Sequence, residues 1–420
     1  MLLNVKNMIK NQQAAVVILG AGIQGCCIAL ELAQQGVEVT LLDRDETPMN
    51  RASLRNEGKI HLGLIYANDR TNATGSLMLK GALHFHPLLK RWLGAAIEQL
   101  RYSTPFYYLV AKDSIMTPAE LATHYDSVES CYKKLLQENP DLNYLGQTPD
   151  CLYQPLTQDR MAAHFQPDQF LAGFETAELA IDTDRLARVI RDAIAHHPNI
   201  QFLPNRRVKT VERTNGLLRI EGTSGEETWR IDASQVVNAT WENRLAIDRT
   251  IGLESAPGWL HRLKYRVIVR VPETLRLAPS ATMIIGRYGD VVIRKDGTAY
   301  LSWYPLALQG WTEDLSPPES WNAPCRGETD PVKAQQLARG VIAEIDRWFP
   351  GIGDGEVLLV DAGAIFAYGH TDVDDAASGL HDRTRIGVTS VEGYHSVDSG
   401  KLTTAPLFAV SAAERIMQGF

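Results

Sequence analysis

Residues 15–43, AVVILGAGIQGCCIALELAQQGVEVTLLD, constrain this chain more than any other stretch. Residues 16–19 are apolar without alternation, as a parallel strand covered on both faces requires. Gly20, Gly22 and Gly25 follow with the spacing G-x-G-x-x-G. The first glycine permits a tight turn, the second lets backbone approach a pyrophosphate, and the third lets helix and strand pack closely. The pattern predicts a helix over 23–35, whose first N–H groups, at Ile23 and Gln24, meet phosphate at the positive end of the helix dipole. A second buried strand over 37–42 ends at Asp43, where a carboxylate can accept from a ribose hydroxyl, and Arg44 follows it as a further contact. A structural βαβ unit with nothing bound is the competing reading, but the full series predicts a bound dinucleotide.

At 420 residues the chain can build two domains, or one with a long insertion. A formal charge of -8 argues against nonspecific nucleic-acid binding, though not against a small anionic substrate, which needs only local Arg and Lys. The cysteines at 26, 27, 131, 151 and 325 form neither a paired framework nor a metal-binding spacing, so no metal is expected and a reducing compartment fits. Residues 1–14 lack the apolar core of a signal peptide, and no apolar run reaches membrane-spanning length. The expected location is cytoplasmic, with peripheral membrane contact left open.

Helices are expected over 75–100, with Pro87 at a start or kink, and over 118–138 and 179–197. Segments 207–213 and 217–222 read as a hairpin around Asn215 and Gly216, and Asn238 and Ala239 end a buried strand where open α/β sheets hold ligands. Strands over 262–271, 281–285, 290–294 and 299–303 suggest a second, more antiparallel sheet able to cover the reactive end of a cofactor. Strand returns at 356–366 and 385–389, before a C-terminal loop and helix. The expected organisation is α/β: a discontinuous Rossmann-like nucleotide domain (1–80, 175–250 and 355–420) and a mainly antiparallel substrate-binding cap (81–174 and 251–354).

Four segments in order resemble the FAD-dependent oxidoreductases grouped with D-amino-acid oxidase, glycine oxidase, glycerol-3-phosphate dehydrogenase and L-2-hydroxyglutarate dehydrogenase. The first is 17–43, with Asp43 where the family more often has Glu. The second is ASLRNEGKIHLGLIY at 52–66, whose I-H-x-G-x-x-Y portion resembles the 2-hydroxyglutarate dehydrogenase branch. It implies that Ser53, Arg55, Asn56 and Gly58 belong to a cofactor loop. The third comprises Ile181-Asp182-Thr183, then Arg207 and Val208, with Val208 implied to meet adenine; VVNAT at 236–240 resembles the family's VVNAAG. The fourth, SGKLTTAP at 399–406, is similar to the GGKLTT element of glycerol-3-phosphate dehydrogenases, with Ser399 in place of the first glycine. It implies that Gly400, Lys401, Leu402 and Thr403 lie by the flavin, Lys401 offsetting negative charge. The implied cofactor is FAD.

The implied reaction is oxidation of a small polar substrate, a 2-hydroxy acid or polyol phosphate, by hydride transfer to flavin N5. Amino-acid or secondary-amine oxidation is the alternative, and a flavin-binding regulatory protein the non-enzymatic one. Electrons then pass to oxygen, a quinone or another acceptor. His61 is the candidate base for the hydroxyl proton, and it can equally bond loop backbone or flavin. Arg294, before the turn in VVIRKDG, can clamp a carboxylate or phosphate, or make a surface ion pair. Tyr304 is a candidate hydroxyl donor. Tyr394 and His395, with His370, fall in expected C-terminal loops and are candidates for lining the pocket.

Overall fold

The computed structural model describes residues 11–369, 371, 375 and 377–419. The strand Asn11–Leu19 lies at the centre of an eight-stranded sheet, parallel to Val39–Leu42 on one side and to Glu227–Asn238 on the other. Ile200–Leu203 extends the sheet beyond Val39–Leu42, and Tyr394–Asp398 extends it beyond Glu227–Asn238, both in parallel. Val16 to Leu19 are wholly buried because helices cover the sheet, which is what their unbroken apolarity requires. The helix Ile23–Gln34 is buried over most of its length and packs against the last helix, Ala405–Met417. Gly25 lets the same helix lie close to the first strand and its turn, since a Cβ there would collide with the carbonyl oxygen of Gly20. The hairpin around Asn215 and Gly216 forms as expected, both residues at positive φ, and joins the first sheet antiparallel to Glu227–Asn238.

Nine strands make the second sheet. Its backbone is Trp259–Arg270, paired antiparallel along one edge with Glu356–Tyr368 and along the other with Leu308–Thr312 and Thr298–Trp303. The sheet is mixed, because Ser280–Ile284 runs parallel to Phe106–Ala111. Glu356–Tyr368 corrects the expected boundary: it belongs to this second sheet, and the chain rejoins the first only at Gly387–Val391. Sheet membership is decided by a partner strand whose paired residues lie 86 (Arg270 to Glu356) to 109 (Trp259 to Tyr368) positions away in sequence, so local pattern could not assign it.

Three other expectations change in detail. Pro87 sits inside the helix Ala73–Leu93, which stops at Gly94 and continues only as a short 3-10 segment, Gly94–Gln99. The helix expected over 179–197 begins later, as Thr183–His196, because the Asp182 side chain accepts from the backbone N–H groups of Asp184 and Arg185 and caps it there. Tyr394 and His395 lie not in a loop but in the buried strand Tyr394–Asp398. His370 lies outside the described residues. Among the described residues no helix is long and apolar enough to cross a membrane.

Candidate active site

One long cavity runs from the glycine turn to the inner face of the second sheet. At its first end, Gly20 has φ +94°, and a Cβ would stand 2.7 Å from the Ala239 carbonyl oxygen. Only glycine serves there without strain. Asp43 beside it accepts from Ala21 N at 2.6 Å and from Asp45 N at 2.8 Å, leaving each oxygen capacity for a further donor. Burial pushes its carboxyl up, against the lowering effect of those two bonds. Arg44, paired with Glu242, and Val208 complete this end.

The middle is framed by the loop after the second strand. Ser53 Oγ accepts from Ile23 N at 2.8 Å, tying the loop to the helix start. Asn56 folds the same loop back on itself: its amide nitrogen donates to Ala52 O, and its Oδ1 accepts from Gly58 N. Arg55 and Arg266 share Asp361, at 3.0 and 2.6 Å. Gln24 also lines the cavity, yet both polar atoms of its side chain are buried without a partner. A buried amide left so is costly, and a polar ligand threading the cavity would satisfy it.

The far end is strongly cationic. Lys59, Lys264, Lys401 and Arg383 line it, set against Glu57 and, just behind, Asp290. Lys59 Nζ donates to Thr282 Oγ1 at 2.7 Å and lies 3.3 Å from Asp290, whereas Lys264 is 3.7 Å from that carboxylate. Burial would raise the Glu57 carboxyl, but Lys264, Lys401 and Lys59 outweigh it and hold the group down to about 2. Burial, with Arg383 adding to it, brings Lys401 down to about 8. The Arg383 guanidinium is buried and makes no hydrogen bond or ion pair among the described residues, and its Nε is sealed without an acceptor.

His61 stands at this end with its backbone clamped. Its N–H donates to Thr403 Oγ1 at 2.9 Å, while the next N–H, of Leu62, donates to buried Glu178 at 2.7 Å. Its ring is flanked by two carboxylates beyond hydrogen-bond reach, Glu57 at 3.9 Å from Nε2 and Glu178 at 4.0 Å from Nδ1. Burial, then Lys401 and Lys59, hold the imidazole well below its usual value, so it is neutral at pH 7.

Most residues singled out from sequence meet on this cavity: Gly20, Gly22, Ile23, Gln24, Asp43, Arg44, Ser53, Arg55, Asn56, His61, Val208, Ala239, Gly400, Lys401 and Leu402 all line it. Gly25 and Gly58 act behind it; Gly58 has φ +77°, and a Cβ there would also strike the Ile181 carbonyl oxygen. Thr403 supports His61 rather than lining the cavity. Asn238 is turned inward, donating to Arg244 O, Asp248 and Tyr394 Oη.

Four expected chemical residues are elsewhere. Tyr394 bonds Asp248 and Asn238 in a buried structural network, and His395 bridges Gln235 and Ser390. Both side chains belong to the sheet interior, because pairing places their strand beside Glu227–Asn238. Tyr304 starts a short helix with Lys264 Nζ 4.9 Å from its ring centre, and is not a lining residue. Arg294, whose backbone bridges Ser103, lines a separate cavity and not the cationic end. Sequence reading missed Lys59, Lys264, Arg266, Tyr300 and Arg383. Strand alternation puts Lys264 and Arg266 on one face, and Lys59 precedes His61 by two, so three of these carried a period-two signal. Arg383, in irregular chain, carried none.

The profile of the FAD dependent oxidoreductase family matches residues 15–415. A D-amino acid dehydrogenase from Chromohalobacter salexigens is 25% identical over 335 residues, covering 70% of this chain and 77% of that protein. Glycine oxidase from Geobacillus kaustophilus superposes with a TM-score of 0.68 at 13% identity, over 97% of this chain and 95% of its own. FAD-bound L-alpha-glycerophosphate oxidase from Mycoplasma pneumoniae does so with a TM-score of 0.63 at 18% identity, over the same 97% and 95%. These two share the fold, a Rossmann-like nucleotide domain joined to a second sheet. With the family matched over nearly its whole length and a nucleotide cradle in place, this chain belongs to the FAD-dependent oxidoreductases, an enzyme whose cofactor is FAD.

Proposed function

We propose that the enzyme oxidises a small anionic alcohol, a 2-hydroxy acid or polyol phosphate, and that His61 takes the hydroxyl proton. The observation that carries this reading is Arg383, a buried guanidinium without a partner among the described residues, at the cationic end of the cavity. A carboxylate or phosphate would supply its missing acceptors, with two parallel bonds available. The three lysines nearby favour the same charge.

Gly20, Gly22, Gln24, Asp43, Ser53 and Val208 would hold the nucleotide, and Gly400, Lys401 and Leu402 the ring end. FAD, when bound, would supply the acceptor for the hydride, one proton with two electrons, that leaves the substrate carbon. The remaining work falls to side chains. Arg383 orients the anion, and Lys401 keeps positive charge where negative charge gathers. His61, neutral and held by Thr403, accepts the proton at Nε2, its Nδ1 being sealed in the protein. The five free cysteines support a cytoplasmic setting.

A second reading, oxidation of an amino acid or secondary amine, is favoured by the D-amino acid dehydrogenase and glycine oxidase among the similar proteins. An anaerobic screen of hydroxy acids, polyol phosphates and amino acids, read as loss of oxidised-flavin absorbance, separates them. Fast reduction by a hydroxy acid or polyol phosphate, with no ammonia released, is expected. Fast reduction by amines alone, with ammonia or a free amine formed, would overturn the proposal. Readmitting air then shows whether oxygen, rather than a quinone or another acceptor, takes the electrons.

A further inference from the structure

Arg294 opens onto a second cavity, separate from the cofactor cleft, and it is not alone there. Arg101, Arg185 and Arg188 line the same space, together with Asp182, Asp184 and Asp296. Arg294 is only 7% exposed, and its Nη2 is sealed without an acceptor. Among the described residues none of the four guanidinium groups makes a hydrogen bond or a close ion pair, although three carboxylates share the cavity. Two of those carboxylates are already engaged: Asp182 caps the helix Thr183–His196, and Asp296 accepts from Thr298 N and Oγ1. The helix end is thus satisfied by Asp182, and the cationic character of the cavity rests on the arginines.

Asp182, Asp184 and Asp296 offset part of the charge on Arg294, but a buried guanidinium nitrogen with no hydrogen-bonded acceptor is costly, and one anion can serve several arginines at once. We propose that this cavity is a second binding site, for a small oxyanion, a carboxylate or phosphate group gripped by Arg294 with Arg101, Arg185 and Arg188. Planar forks suit either group. The site joins the two halves of the molecule. Arg185 and Arg188 come from a helix against the first sheet, while Arg294 leaves the second sheet next to its Gly297 turn. A ligand here would therefore bridge them. It would sit near the cofactor loop without touching it: Thr183, at the start of that helix, and Arg266 both donate to the Leu54 carbonyl.

Titrating the FAD-bound enzyme with inorganic phosphate, and separately with acetate, tests the proposal by calorimetry while flavin absorbance is followed. Binding in the cofactor cleft perturbs the flavin; binding between the arginines leaves its spectrum unchanged. A spectrally silent event is expected, weakened about ten-fold in Arg294→Gln, as loss of one charge-assisted pair implies. Arg188→Gln, at an exposed helix position, should weaken it similarly and guards against misfolding of the buried variant. Preference for phosphate identifies a phosphate ester as the natural ligand class, and preference for acetate a carboxylate; either ranking supports the site. Absence of a silent event, or one of equal affinity in both variants, overturns it.

Discussion

At the scale of single residues, the cationic end lowers the proton affinity of Glu57, His61 and Lys401 alike. His61 is kept neutral by burial and by Lys401 and Lys59, so it remains a base well below pH 6.5. Lys401, brought down to about 8, is charged below that pH and loses its charge above it. The pH profile of kcat/KM should therefore lack an acid limb near 6.5 and fall on the alkaline side from about 8. Lys401→Arg should move that alkaline fall upward, because guanidinium stays protonated. An acid limb at 6.5 that disappears in His61→Asn would contradict the assignment. Arg383→Ala should raise KM for an anionic substrate on the order of 10²-fold, the loss of a charged two-point contact. Steady-state kinetics with the best substrate of the anaerobic screen decide this, and an unchanged KM would remove Arg383 from the site. Which side chains line the cavity was partly legible at this scale. The I-H-x-G segment marked His61, and G-K-L-T marked Lys401. Arg294 looked equally suitable as an anion clamp, yet it lines another cavity, and it is Arg383 that lines the cationic end. Residue type says what a side chain can bind, not where its backbone will point it.

At the scale of elements, local rules govern the ends and long-range pairing governs the middles. The helix Pro118–Glu138 begins with a complete capping box: Thr117 accepts from Glu120 N, and Glu120 in turn accepts from Thr117 N. Thr117→Ala should cost about 1 kcal/mol of stability and leave catalysis alone, since the box is exposed and remote from the cavity. Urea unfolding and flavin reduction rates measure the two sides of that expectation. Tyr394 offers the opposite case. Its hydroxyl donates to Asp248 and accepts from Asn238, in a network that also joins Arg244 to Asp248 and Asp398. Tyr394→Phe leaves buried polar groups unpaired and should destabilise by about 1–3 kcal/mol, with KM unchanged. A large KM shift without loss of stability would restore it to the substrate pocket. The segment GYHSVDSGK was readable as lying before Lys401, but not as a strand. Its extended form depends on pairing with Glu227–Asn238, which is distant in sequence.

At the scale of the whole molecule, the cofactor cleft is assembled from chain segments that meet only after folding. Gly20, Ser53, Val208, Gly363 and Lys401 all line it. FAD bound there adds stability by mass action, about 4 kcal/mol when free FAD is a thousand times its dissociation constant. Stripping FAD should therefore lower the thermal midpoint, and adding it back should restore the midpoint in a concentration-dependent way. A midpoint indifferent to FAD would be incompatible with a cradle of this kind. The sequence by itself determined the nucleotide end, because glycine spacing, strand apolarity and the closing Asp43 act within about thirty residues and need no distant partner. The tertiary structure alone decided which sheet Glu356–Tyr368 joins and which arginine faces the reactive end. Strand pairing across long stretches of chain sets those directions, and short-range pattern carries no record of it.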